Sequence, residues 1–236
     1  MIYRISKFIT RLLVALLVGL GGLGFFTHVS TKPTDSDIAV FRTVLGLDNS
    51  QDRMSYAQEL HLIKQLQTLV LKEAPGNDRI PEYSSREPED LFKARSGLCF
   101  DRSRTLDKLF EWYGFETRHI FVLYAQHPVT GEKLSFWSAF FTRGIDSHAV
   151  TEVKTSRGWL VVDSNTPWIS VAADGAPVDA DQINLQVDRF ESIPEYWTRP
   201  YWAIRGLYSR RGHLYPPYIS YPELNWHDFV SWLVAG

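Results

Sequence analysis

Residues 147–163 read Ser147-His148-Ala149-Val150-Thr151-Glu152-Val153-Lys154-Thr155-Ser156-Arg157-Gly158-Trp159-Leu160-Val161-Val162-Asp163. Branched and aromatic residues flank Thr155-Ser156-Arg157-Gly158, the pattern of two strands joined by a tight hairpin. A loop of Ser156 and Arg157 pairs Thr155 with Gly158, and counting back sets His148 opposite Asn165. Asp163 then lies two residues away on the same face, within diagonal reach of the imidazole. A register shift of two keeps this relation, whereas a shift of one sends the two side chains to opposite faces.

Moving towards the amino terminus, the segments Thr117–Tyr124 and Ser135–Thr142 also read as strands. Before them, Cys99 opens a helix over 99–113, with Leu106, Leu109, Phe110 and Tyr113 as its apolar stripe and Gly114 as its stop. The thiol falls in the first turn, where unpaired amides and the positive end of the helix dipole favour a thiolate. Two further helices are expected. One covers 55–74, opened by the capping box Ser55 and Gln58 and ended by Pro75-Gly76. The other starts near Glu87 with Pro88 in its first turn and stops by Gly97.

The chain has 236 residues with 44 % hydrophobic and 22 % charged side chains, enough for one domain with an extension and incompatible with global disorder. A net charge of −2 gives no basic field for a phosphate backbone, so nucleic acid is not an expected partner. Cys99 is the one cysteine, which excludes an intramolecular disulfide and any multi-cysteine metal or cluster site. His28, His61, His119, His127, His213 and His227 form no metal-ligand spacing, so neither metal nor cofactor is expected.

Arg4, Lys7 and Arg11 precede an apolar run from Leu12 to Phe26, the profile of a secretory signal or signal anchor. No small-x-small cleavage site follows, which favours an uncleaved membrane helix over 1–29, with the remainder facing the periplasm or the outside. Residues 30–37 read as a polar linker, 38–195 as the main domain and 196–236 as an aromatic-rich extension packed on it. That extension interleaves rings such as Trp197, Tyr208 and Trp226 with Pro200, Pro216, Pro217 and Pro222. It either wraps the core, lines a cleft or lies at a membrane surface. A short terminal helix is expected over 225–233.

Three blocks stand in order: Gly97-Leu98-Cys99 before a helix, His148-Ala149-Val150-Thr151-Glu152-Val153 on one strand, and Trp159-Leu160-Val161-Val162-Asp163 on the next. With Gly114 before the first strand and Arg118 at its start, this resembles the transglutaminase-like cysteine enzymes over about residues 87–170. Val150 and Ser164 depart from the family's usual aromatic residue and proline. The resemblance implies an α+β, papain-like fold in which the cysteine helix packs on an antiparallel sheet. It implies a Cys99, His148, Asp163 triad cleaving or transferring an amide bond of a peptide, protein or other amide substrate through a thioacyl-enzyme. The alternative is a non-catalytic module that keeps the fold and holds a polysaccharide or partner protein. Glu152 is expected to point outward from its strand, and Trp159 to lie in the core.

Overall fold

The computed structural model describes residues 11, 13–16, 19, 21, 22, 24–48, 54–80, 86–209 and 222–235. Helices α1 (Asp35–Val44), α2 (Tyr56–Glu73), α3 (Pro88–Ala94) and α4 (Cys99–Trp112) come first. Strand β1 (Glu116–Tyr124), helix α5 (Phe136–Phe141), and strands β2 (Ser147–Thr155) and β3 (Gly158–Val162) follow. The chain closes with β4 (Tyr201–Arg205), β5 (Leu207–Ser209), β6 (Glu223–Leu224) and α6 (Trp226–Ala235). The main sheet is antiparallel in the order β3-β2-β1-β4.

The hairpin register is the one the sequence implies. Thr155 pairs with Gly158 and Thr151 with Val162, so His148 and Asp163 extend from the same strand pair just beyond its last ladder rung. Ser164 closes that end, donating from its hydroxyl to the Ala149 carbonyl at 2.5 Å.

Helix α4 lies against the sheet through Leu106, Leu109 and Phe110, all fully buried. Each such side chain contributes about 1.5–3 kcal/mol by leaving water. Helix α2 covers the same core with Ile63, Leu66 and Val70. Its capping box forms, the Ser55 amide donating to Gln58 Oε1 at 2.8 Å.

Several expectations are corrected. Residues 136–141, expected inside a strand, form α5, whose Ser135 hydroxyl accepts from the Ser138 amide. Three of its aromatic rings join a cluster on one side of the sheet with Trp202 and Trp232. Residues 35–37, expected in a linker, open α1: Thr34 caps it, and Asp37 is buried against the Lys108 ammonium at 2.8 Å. Glu152 points inward, fully buried, accepting from Arg118 Nε at 2.5 Å and the Ala180 amide at 2.6 Å. Trp159 is half-buried, with the Arg118 guanidinium 3.9 Å from its ring centre. The extension supplies an edge strand, β4, so the sheet runs past the boundary expected at residue 195. Much of the expected membrane helix over 1–29 lies outside the described residues. Among those described, no helix is long and apolar enough to cross a membrane.

Candidate active site

The loop before α4 determines where Cys99 sits. Gly76 and Ser96 form an isolated parallel bridge, with the Gly76 amide donating to the Arg95 carbonyl and the Gly97 amide to the Gly76 carbonyl, each at 3.1 Å. The approach is too close for a side chain: a Cβ on Gly76 would stand 2.6 Å from Ser96 Oγ, and one on Gly97 2.5 Å from Leu91 Cδ1. The Leu98 amide then donates to Asp101 Oδ2 at 2.9 Å, fixing the first turn. Cys99 is half-buried at the head of that turn.

One turn later, Arg102 is buried and reaches back under the loop. Its Nε donates to the Ala74 carbonyl at 3.0 Å, Nη2 donates to the Gly76 carbonyl, and Nη1 donates to Asn165 Oδ1 at 3.0 Å. Burial lowers its pKa, while Cys99 and Asp101 act in the opposite direction. The guanidinium thus ties the cysteine loop to the turn that follows Asp163.

His148 and Asp163 are both buried, and the imidazole Nε2 donates to Asp163 Oδ2 at 3.1 Å. The same oxygen accepts from the Tyr196 hydroxyl at 2.7 Å and from Trp197 Nε1 at 3.1 Å. Asp163 Oδ1 accepts from the amides of Asn165 and Thr166 at 2.8 and 2.9 Å. Burial pushes this carboxyl up, but the His148, Tyr196 and backbone hydrogen bonds outweigh it and hold the pKa below the usual aspartate value. Gln67 on α2 braces the same turn, its amide nitrogen donating to the Asp163 and Trp168 carbonyls at 2.7 and 2.9 Å.

Cys99 and His148 line the same cavity. Burial opposes a charge on the ring, yet the hydrogen bonds and charges of Asp163 and Cys99 prevail and raise its pKa to about 10. The imidazole thus binds the Asp163 carboxylate and shares a cavity wall with Cys99.

Two cavities, of about 250 and about 230 Å³, flank His148 and share Ser147, His148 and Asn165. The first is bounded by Cys99, Phe121 and Tyr208, the second by Tyr124, Tyr196 and Arg199. Tyr208 is fully buried, stacks on His119 with ring centres 3.8 Å apart and donates to Asp107 Oδ2 at 3.0 Å. Sequence reading missed Gln67, Arg102, Tyr196 and Trp197. The aromatic density of the tail was the one signal for the last two, whose rings donate to Asp163, while Tyr208 walls the cavity. Among the described residues no cluster of His, Cys, Asp and Glu is arranged to hold a metal.

Residues 50–164 match the family model described as the transglutaminase-like superfamily. None of the curated proteins matches the chain.

Proposed function

The chain belongs to the transglutaminase-like superfamily through residues 50–164, and on that premise we propose that it is a cysteine-dependent amide hydrolase or acyltransferase. The observation that carries this reading is the position of His148, hydrogen-bonded to Asp163 and lining, together with Cys99, one open cavity.

In this mechanism His148 takes the Cys99 proton, and the thiolate attacks the carbonyl carbon of the substrate amide. The negative charge moves to the carbonyl oxygen. It meets the head of α4, where the positive end of the helix dipole favours it. Collapse of the adduct breaks the C–N bond, and the His148 imidazolium returns its proton to the departing amine. A thioacyl-enzyme remains until water or a second amine attacks it. Asp163 holds the ring orientation and offsets its charge, the role that its five hydrogen-bond donors equip it for. The paired cavities suit an extended substrate crossing the ring, with one group on either side.

The test pairs two measurements. Alkylation of Cys99 at pH 6 is expected to run faster than that of free cysteine, and a thiol-reactive acyl probe is expected to label wild type and not Cys99→Ala. Alkylation at the free-cysteine rate with no labelling would instead support a binding module that retains the fold without the chemistry.

A further inference from the structure

Five exposed large apolar side chains lie on α5 and α6. Trp137 and Phe141 are 64 % and 66 % exposed, and their rings stack with centres 6.2 Å apart. Val230, Leu233 and Val234 on α6 are 49 %, 54 % and 83 % exposed. The two helices are neighbours, with the Phe136 and Trp232 rings 6.2 Å apart. Large apolar side chains facing water on adjacent helices mark an interaction surface.

Two independent features say what covers it. The first is the segment 24–29, which leaves from the same corner. Trp226 Nε1 donates to the Thr27 hydroxyl at 3.0 Å, and the Val29 amide donates to the Leu224 carbonyl at 2.8 Å. Just upstream, in helical conformation, Phe25 and Phe26 are 80 % and 81 % exposed. They end the uncharged run from Leu12 that follows Arg4, Lys7 and Arg11. The second is charge. Residues 133–143, Lys-Leu-Ser-Phe-Trp-Ser-Ala-Phe-Phe-Thr-Arg, place an exposed cation at each end of α5 and contain no acid. Aromatic residues flanked by Lys and Arg suit the interface of a bilayer, where rings enter the headgroup layer and cations meet lipid phosphates.

We propose that the outer faces of α5 and α6 dock on a phospholipid bilayer, alongside the apolar amino-terminal run, so that the catalytic domain lies on the membrane surface. The contact needs no spanning helix and is independent of the chemistry assigned to Cys99.

The test is hydrogen exchange on the full chain, with and without vesicles of phosphatidylcholine and phosphatidylglycerol. Vesicles are expected to slow amide exchange in α5 and α6 while leaving α2 unchanged. In the double variant Trp137→Ser, Phe141→Ser the slowing at α5 is lost, and unchanged exchange in α2 reports an intact fold. Exchange in α5 and α6 that ignores vesicles overturns the proposal. So does slowing that depends on protein concentration without lipid, which would assign the surface to a second copy of the chain.

Discussion

Arg102 Nη1 donates to Asn165 Oδ1 at 3.0 Å, joining the helix that starts at Cys99 to the turn that follows Asp163. Cys99 and Asp163 belong to separate elements, and this guanidinium bridges the loop before the one and the turn after the other. Lysine cannot reproduce a fork that meets three acceptors at once. Arg102→Lys is therefore expected to destabilise the protein by about 1–3 kcal/mol, the cost of buried acceptors left unpaired. Urea unfolding measures this, and activity should fall further than the lost stability explains.

Asp163→Asn retains the volume of the side chain but not its charge. Turnover is expected to drop on the order of 10³- to 10⁴-fold, because an amide no longer selects the imidazole tautomer that accepts the thiol proton. Asp163→Ala also strands Tyr196, Trp197 and two backbone amides, and should cost about 3–5 kcal/mol. Steady-state kinetics on the first variant and thermal unfolding on the second check these outcomes.

The pH dependence of stability follows from the same pair. A His148 pKa raised to about 10 stabilises the fold fully below the unfolded value near 6.5 and is lost as pH climbs towards 10. The lowered Asp163 pKa contributes above the unfolded value and is lost as pH falls through the folded one. Stability should thus decline on both sides of a plateau. Removing the Cys99 partner with Cys99→Ala is expected to move the alkaline decline to lower pH, measured by melting temperature across a pH series.

Gly76→Ala should destabilise by about 1–3 kcal/mol through overpacking. The new methyl meets Ser96, whose hydroxyl is already held by the Asp78 amide at 2.9 Å and the Asp78 carbonyl at 3.0 Å, so it has no free direction in which to yield. Slower alkylation of Cys99 in the variant would show that the loop positions the thiol.

The hairpin and the cysteine helix were legible because each rests on local rules: alternation, a two-residue turn, and a helix start with its stop. What escaped the sequence depends on distant contacts. The aromatic run over 136–141 alternates weakly enough to pass for a strand, but its rings cluster on one side of the sheet, which a helix achieves and a strand does not. Glu152 looked like an outward carboxylate. Arg118, Arg205 and the Ala180 amide, far apart in sequence, converge to satisfy it inside. The five donors around Asp163 come from residues 148, 165, 166, 196 and 197, and the last two lie beyond the span that resembled the family.

The late arrival of β4 bears on biosynthesis. Until residue 205 has left the ribosome, β1 presents a bare edge of amides and carbonyls, and Val122 and Ile120 lack the covering that Ala203 and Trp197 bring. A nascent chain at that stage holds its cysteine, histidine and aspartate but cannot yet close around them. Any thiol chemistry at the site should therefore appear only once β4 has been made, and fragments ending before β4 are candidates for aggregation and degradation rather than partial function.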